Sequence, residues 1–348
     1  MAGRFIRPQM RSDREGRDVD LTTRYMGLEL KNPLVASASP LTGELDTLRR
    51  LEDAGAAAVV LPSLFQEQIE AEARRYEELA IAGAESFPEA RTYLPTHAIE
   101  HTGPERYLSL IRRAVEAVDI PVIASLNGTT NQGWISYAQQ MEQAGANGLE
   151  LNVYLIATDR AETGRDIERR YLEILAAVRD TVAIPVAVKL SPYFSALGNM
   201  AEELDRAGAS ALVLFNRFYE PDIDLSLLRM TKDLQLSSPH EIRLPLLWIG
   251  VLSGHLTASL AASTGVESGK EVLKYILTGA DVVMTTSALL RHGPSYIDTL
   301  LCDFRSWLSA REIGSLDQVR GRLSHQKLET EATFERARYI EILQGYSH

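Results

Sequence analysis

Short runs of apolar, often β-branched residues recur along the chain, and several follow an amphipathic stretch that ends at a glycine. The runs AAVVLPS, NGLELN, SALVLFN and VVMTTS begin directly or shortly after Gly55, Gly145, Gly208 and Gly279. A glycine at this place can adopt the left-handed conformation that ends a helix. Continuous apolar runs of this length are typical of strands buried on both faces, as in a parallel sheet.

Eight such runs alternate with helical stretches along the chain. This alternation predicts the α/β class and a (β/α)8 TIM barrel. A doubly wound open sheet is the competing architecture, but no GxGxxG sequence follows the first strand. The predicted strands are 34–38, 57–63, 121–125, 147–152, 185–190, 210–216, 259–263 and 282–287. The predicted helices are 44–54, 104–117, 134–144, 165–181, 196–207, 244–256, 268–278 and 288–309.

The barrel is predicted to have an extension at each end. Residues 1–19 are interpreted as a flexible tail, 20–310 as the barrel and 311–348 as a charged, helical C-terminal extension. Within the barrel segment, the first residues alternate and turn at Gly27, like a short hairpin that could plug the N-terminal end. The long segments 62–103 and 217–243 follow strands, and such loops build the active sites of barrels.

The composition of the chain argues against several classes of function. The chain has 348 residues and a net charge of −11, which argues against nucleic acid or an anionic membrane surface as the main partner. No apolar run approaches the length of a membrane span. The single cysteine, Cys302, excludes an internal disulfide and fits a reducing cytoplasm. The histidines show no metal-ligand spacing, so no metal site is predicted, and the chain lacks the GxSxG elbow of serine hydrolases.

Candidate chemistry lies at the carboxyl ends of the predicted strands, where barrels place their active sites. Lys189 lies between apolar neighbours in VAVKLSP, and a buried lysine needs an anionic partner. That partner is a ligand or, as the structural alternative, a buried acid such as Glu150. Asn152 and Asn216 end two other strands, and their amides suit a flat heterocycle with carbonyl and N–H groups.

The last two strands end in small polar residues. Gly265 and the pair Thr286 and Ser287 precede predicted helices, and backbone N–H groups with hydroxyls at such turns bind phosphate. The alternative for Ser287 is a helix N-cap without a ligand. The sequence therefore predicts a phosphorylated ligand whose other end lies near Lys189.

Five blocks together resemble a known family. NPLVASASP, PVIASLNG, AGANGLELN, IPVAVKLSPYF and TGADVVMTTSALL occur in the order found in class 1 dihydroorotate dehydrogenases, over roughly residues 20–300. IPVAVKLSPYF is the most specific of them. The resemblance implies an FMN-dependent TIM barrel that oxidises dihydroorotate to orotate in pyrimidine biosynthesis. It also implies a cytoplasmic protein that binds a small-molecule substrate.

The resemblance assigns roles to individual residues. Lys189 matches the lysine that contacts the flavin ring and stabilises its anionic reduced form, as a fixed cation would. Asn152 and Asn216 match substrate-binding positions. The residues that match FMN-binding positions are Ser37, Ala38, Ser39, Ser63, Asn127, Asn152, Lys189, Thr264, Gly265, Thr286 and Ser287.

The substrate half of the family pattern is eroded. Leu155 occupies the position of the catalytic cysteine, and Ala157 replaces a pyrimidine-binding asparagine. Pro62 replaces a lysine, and 86–95 replaces an asparagine-rich loop. Leucine cannot accept a proton, and a general base contributes about 10²–10⁴-fold to a rate.

Three residues of the same loop have side chains that could replace the missing base. Tyr154, Thr158 and Asp159 are the candidates, and Tyr154 is the tentative catalytic residue beside Lys189. Tyr154 is a weak base because an unperturbed phenol has a pKa near about 10, but it could act as an acid. Cys302 follows the last strand and is not expected to reach the flavin.

Three functions follow from these observations. The first is an FMN-dependent oxidoreductase acting on CH–CH groups, with dihydroorotate or an altered substrate. The second is a non-catalytic barrel that binds FMN or a phosphorylated ligand. The third is a non-flavin aldolase or isomerase, in which Lys189 forms a Schiff base or acts electrostatically. Class 1 relatives are often homodimers, so a homodimer is one expectation, and the sequence does not identify the redox partner.

Overall fold

Eight parallel strands close into a barrel in the computed structural model, which describes residues 19–65, 103–127, 131–218, 220–231, 235–328 and 344–345. The barrel order is β11-β12-β3-β4-β5-β6-β7-β8, and pairing of β11 with β8 closes it. The predicted (β/α)8 barrel is confirmed, and the open sheet is excluded. The strands are β1 (Thr23–Tyr25), β2 (Leu28–Leu30), β3 (Leu34–Ala36), β4 (Ala58–Phe65), β5 (Val122–Asn127), β6 (Gly148–Asn152), β7 (Val186–Leu190), β8 (Ala211–Leu214), β9 (Ile223–Asp224), β10 (Arg229–Met230), β11 (Ser259–Ala262) and β12 (Val282–Thr285).

Helices cover the outside of the barrel. The α-helices of the described residues are α1 (Leu45–Asp53), α2 (Gly103–Ala117), α3 (Asn131–Gln143), α4 (Gly164–Arg179), α5 (Leu197–Arg206), α6 (Arg243–Leu252), α7 (Gly269–Thr278), α8 (Ser287–His292) and α9 (Tyr296–Ser309). Apolar side chains between these helices and the strands form the larger core. A second apolar cluster fills the barrel interior, and its strand residues are small or branched, such as Val35, Ala187 and Val213.

The N-terminal hairpin plugs the barrel, as its alternating pattern predicted. β1 and β2 pair antiparallel and turn at Met26 and Gly27. Tyr25 and Met26 are buried in the interior cluster. The backbone N–H of Met26 donates to Ser259 Oγ at 3.2 Å, and Thr23 Oγ1 donates to the Asp281 carbonyl at 2.9 Å. The barrel is thereby closed at its N-terminal end, which leaves the carboxyl ends of the strands for a site.

One predicted helix, 288–309, is divided in two, and that prediction of a single helix is wrong. α8 ends at His292 and α9 begins at Tyr296. Gly293 between them has a φ of +87°, in the left-handed region. Pro294 follows and has no N–H to continue the helix. A glycine–proline pair commonly ends a helix, but the apolar pattern on both sides of it favoured one continuous helix.

The residues that precede the N-terminal hairpin pair with the segment that follows α9. The Asp20 backbone N–H donates to the Gly314 carbonyl at 2.9 Å, and Leu316 N–H donates back to Asp20 at 3.0 Å. Within 311–328 the structure has two short 3-10 helices, Leu316–Gln318 and His325–Lys327. Residues 329–343, like the predicted tail 1–18 and most of the segment 62–103, lie outside the described residues.

The segment 217–243 is described except for residues 219 and 232–234. It carries the small hairpin of β9 and β10 and a 3-10 helix, Pro239–Ile242, before α6. Its second half passes over the ends of the last two barrel strands. Among the described helices, none is long and apolar enough to cross a membrane.

Candidate active site

A cavity of about 290 Å³ opens at the carboxyl ends of the barrel strands. Its lining comes from the ends of β3, β7, β8, β11 and β12 and from the segment that follows β8. Nine predicted site residues lie together in this lining: Ser37, Ala38, Ser39, Lys189, Asn216, Thr264, Gly265, Thr286 and Ser287. Residues that the sequence did not single out also line it: Phe215, Arg217, Leu236, Ser237, Met284 and Leu290.

Lys189 is the cation at the inner end of the cavity. Its residue is 8% exposed, and its Nζ lies 3.4 Å from Oε1 of Glu150. Both side chains enter the barrel interior because Ala187, two residues before Lys189, belongs to the interior cluster and pairs in register with Glu150. The buried ion pair, one of the two alternatives that the sequence left open, is therefore present, and the same lysine also lines the cavity.

Two asparagines connect the cavity to a row of hydroxyls. Asn216 Nδ2 donates to Asn152 Oδ1 at 2.5 Å, and Asn152 Nδ2 donates to Ser63 Oγ at 3.1 Å. Ser63 Oγ lies 2.7 Å from Ser125 Oγ. Asn216 lines the cavity, whereas Asn152 and Ser63 do not. These hydrogen bonds fix the orientation of the Asn216 amide toward a ligand.

The turn after β11 is held in an unusual conformation. Thr264 and Gly265 have φ angles of +85° and +72°, and a β-branched residue rarely adopts such an angle. The Tyr275 hydroxyl donates to the Thr264 carbonyl at 2.8 Å, and its burial raises the pKa of that phenol, which keeps it a donor. A Cβ on Gly265 would lie 2.7 Å from the Ser238 carbonyl oxygen. Only glycine allows this close approach.

Ser237 joins the two turns that were predicted to bind phosphate. Gly265 N–H donates to Ser237 Oγ at 3.2 Å, and Ser237 Oγ donates to Ser287 Oγ at 2.8 Å. The Ser237 backbone N–H also donates to Ser287 Oγ, at 3.1 Å. Ser237 belongs to the segment 217–243, whose position after a strand was the only signal for it. We call Ser237, Gly265 and Ser287 the hydroxyl cluster.

The remaining predicted residues lie outside the cavity lining. Tyr154 stacks on Phe218 with ring centroids 4.5 Å apart, and Phe218 also contacts Tyr193 at 5.7 Å. Asn127 is buried at the end of β5. The catalytic role of Tyr154 and the cofactor role of Asn127 stay predictions.

The other candidate bases of this loop belong to its own turns. Thr158 N–H donates to the Ile156 carbonyl at 2.9 Å, and Asp159 Oδ1 accepts from the Ala161 N–H at 2.9 Å. Asp159 is exposed, and neither residue lines the cavity. Leu155 is half-buried. In the part of the chain that the structure describes, no carboxylate, imidazole or thiol therefore lines the cavity.

Cys302 lies far from the carboxyl ends of the strands in the fold, on α9. It is exposed, and its Sγ donates to Asp298 Oδ1 at 3.7 Å. Partial burial and the Asp298 charge raise the pKa of the thiol. Across the described residues, no group of three or more histidine, cysteine or acidic side chains could hold a metal ion.

The family model for dihydroorotate dehydrogenase matches residues 20–308, which is nearly the whole barrel. The chain belongs to the dihydroorotate dehydrogenase family. This membership agrees with the resemblance of the five sequence blocks and makes the chain a dihydroorotate dehydrogenase-like oxidoreductase.

Named relatives of the family are similar over almost their full length. An Aeropyrum pernix protein, classed by its name with dihydroorotate dehydrogenase A (fumarate), is 26% identical over 87% of this chain and 97% of its own length. The catalytic subunit of dihydroorotate dehydrogenase B (NAD(+)) from Methanothermobacter thermautotrophicus is 23% identical over 88% and 98%. The Pyrococcus abyssi protein of the same name is 24% identical over 86% and 98%.

Proposed function

We propose that the chain is an FMN-dependent oxidoreductase that acts on a CH–CH bond of a small, flat heterocycle. The observation that carries this proposal is that one cavity is lined both by a buried cation, Lys189, and by the hydroxyl cluster. A flavin nucleotide has a matching polarity, with an electron-accepting ring at one end and a phosphate at the other. Family membership supports the same cofactor.

The residues of the cavity fit FMN in chemical type. Hydroxyls and backbone N–H groups are donors of the kind that bind a phosphate. The Gly265 N–H and the Ser237 hydroxyl donate within the cluster, so a phosphate would bind the Ser287 hydroxyl or take the place of these contacts. Ala38 and Met284 provide apolar surface for a ring, and Lys189 provides a positive charge beside it. Ligand sites of this kind are mostly apolar with a few convergent polar groups. We therefore assign FMN to this cavity.

Each side chain would contribute a separate part of the chemistry. FMN supplies the acceptor for a hydride from the substrate. Lys189 places a fixed positive charge where negative charge develops, and such preorganised charges are the largest single contribution in many enzymes. Asn216, oriented by Asn152, would bind carbonyl and N–H groups of the substrate. Oxidation of the CH–CH bond releases one proton beside the hydride, and no carboxylate, imidazole or thiol among the described residues of the lining would accept it.

The substrate is proposed to be dihydroorotate or a close relative that yields its proton to solvent. Leu155 at the position of the family's base predicts slow oxidation of dihydroorotate itself. The aromatic stack of Tyr154, Phe218 and Tyr193 lies next in the chain to Leu155, the position that the family uses for the base. A place in pyrimidine biosynthesis is part of this proposal and depends on the substrate.

The missing base also favours a second candidate, a barrel that binds FMN without oxidising dihydroorotate. The third hypothesis, a Schiff-base aldolase, fits less well. A Schiff base requires a free amine to attack a carbonyl, whereas Lys189 Nζ is engaged in an ion pair with Glu150 at 3.4 Å.

The test is the visible spectrum of the FMN-loaded protein after anaerobic addition of dihydroorotate. Bleaching of the flavin absorbance within minutes supports the oxidoreductase, and Lys189→Met, which keeps the hydroxyl cluster, should bleach far more slowly. A loaded protein that stays yellow with dihydroorotate and with related dihydropyrimidines would support the binding barrel. A protein that takes up no FMN would refute both.

A further inference from the structure

Glu150 is an acid buried inside the barrel for which the chemistry proposed above has no use. It is 0% exposed, and its Oε2 has no hydrogen-bond partner among the described residues. Its Oε1 has one polar neighbour, Lys189 Nζ at 3.4 Å. Burying an ionised carboxylate without full compensation costs several kcal/mol, so a fold does not tolerate it without a compensating role or partner.

The surroundings of Glu150 offer no other cation. The neighbouring side chains Tyr25 and Tyr107 are buried. Their burial raises the pKa of both phenols, and the negative charge of Glu150 raises it further. The in-register neighbours of Glu150 on β5 and β7 are Ser125 and Ala187. Lys189 is thus the counter-charge of Glu150 in the described part of the barrel, and Glu150 is the counter-charge of Lys189.

We infer that Glu150 is a positioning residue that serves as the built-in counter-charge of Lys189 and holds the ammonium at the inner end of the cavity. The inference rests on the proposed function in assigning the flavin ring to that end. A lysine that is 8% exposed needs an anionic neighbour to offset the cost of burying its charge. Glu150 supplies that anion from within the barrel, so the pairing does not require a ligand.

The arrangement also sets how strongly Lys189 acts on a ligand. Oε1 holds the ammonium from below, at 3.4 Å, and leaves its other donors for the cavity. A neutral pair beneath the ring attracts negative charge less than a lone lysine would. Glu150 therefore lowers the reduction potential of a bound flavin relative to a barrel with lysine alone, while it keeps that potential independent of lysine titration.

The first experiment uses the full chain without cofactor. Lysine labelled with 13C at Cε is titrated by NMR, and the signal that Lys189→Arg removes identifies Lys189. Glu150→Gln should lower the pKa of Lys189 by about one unit or more, since the buried ammonium loses its partner. Glu150→Asp keeps the charge and should shift the pKa less. An unchanged pKa in Glu150→Gln would overturn the inference.

The second experiment measures the reduction potential of bound FMN against pH. For the wild-type protein, the plot of reduction potential against pH should show no change of slope caused by titration of a lysine. Glu150→Gln should show a higher potential at low pH, where Lys189 is charged without a counter-charge, and a break where Lys189 loses its proton. A purely structural Glu150 would change the stability and leave the shape of the curve unaltered.

Failures of the two proposals are distinguishable. If the protein binds no FMN, the proposed function fails, and the NMR titration still decides whether Glu150 controls the charge of Lys189. If FMN binds and the potential of Glu150→Gln follows that of the wild type at every pH, the role of Glu150 fails and the proposed function stands. Should Glu150→Gln not fold, Glu150→Asp gives the same comparison with a smaller shift.

Discussion

The two sides of the site differ in how completely they retain polar chemistry. The side built on β7, β8, β11 and β12 has a buried cation, an oriented amide and the hydroxyl cluster, all in one cavity. The side built on the loop after β6 has Leu155 and a tyrosine stacked on Phe218. Under the proposed function, this difference predicts that the chain binds a flavin and that its substrate or its proton acceptor differs from that of the family.

Removal of Lys189 should have the largest effect. Lys189→Met takes away the charge at the inner end of the cavity, and loss of one such group costs about 10²–10³-fold in turnover. It also leaves Glu150 buried without its partner, which should lower the free energy of unfolding by about 3–5 kcal/mol. Stopped-flow reduction and denaturant unfolding measure the two effects.

The double variant Lys189→Met with Glu150→Gln is the control for this result. It removes the uncompensated charge, so stability should return toward that of the wild type while turnover stays low. Recovery of turnover together with stability would mean that the lysine acts only on the fold.

Introduction of a base on the changed side should produce the next largest effect, a gain. Leu155→Cys places a thiol at the position that the family uses for proton abstraction. The rate of dihydroorotate oxidation should rise by about 10²-fold, at the low end of what a general base contributes. Leu155→Ala is the matched control, because it opens the same space without a base. Equal rates for both variants would contradict the comparison between the two sides.

Asn216 marks the border between the two sides. Asn216→Ala should raise KM for the substrate that the protein oxidises about tenfold, because it removes roughly 1.4 kcal/mol of binding free energy. The affinity for FMN should change much less, because the asparagine faces the substrate. Steady-state kinetics and flavin titration separate the two quantities. A tenfold loss of FMN affinity with an unchanged KM would show that Asn216 binds the cofactor and not the substrate.

The hydroxyl cluster should show a smaller effect, confined to the cofactor. Ser287→Ala removes the acceptor of the Ser237 N–H and hydroxyl, so the protein should lose about 1 kcal/mol of stability and several-fold in FMN affinity. Ser136→Ala, at an exposed serine on α3, is the control for removal of a hydroxyl. Equal FMN affinities for both variants would place the phosphate elsewhere.

Cys302→Ser should have the smallest effect. The thiol is exposed on α9, and its raised pKa makes it a poor nucleophile at neutral pH. Turnover should stay within about twofold of the wild type, given that surface substitutions rarely matter. A large loss would show that the single cysteine of the chain takes over the role missing at Leu155.

Much of the fold could be predicted because parallel barrel strands are apolar on both faces. Runs such as VAVKL and ALVL were identified as strands without knowledge of their partners. The break at Gly293 was missed because apolar residues continue on both sides of it.

The candidate site was less predictable than the strands. Residues at strand ends, such as Lys189 and Ser287, were found because the barrel brings all strand ends to one face. Ser237 was not, because a loop residue reaches its place through backbone contacts that leave no period in the sequence. The direction of the Tyr154 ring depends on Phe218, which lies 64 positions later in the chain and is brought close by the fold.

A comparison of FMN and riboflavin binding tests the central claim most directly. The two differ by the phosphate alone, so their affinities for the wild-type protein report on the hydroxyl cluster, and their shared ring reports on the inner end of the cavity. The account predicts that FMN binds at least tenfold more tightly than riboflavin and that Ser287→Ala reduces this preference. Failure to bind FMN, or equal affinities for the two flavins, would contradict it.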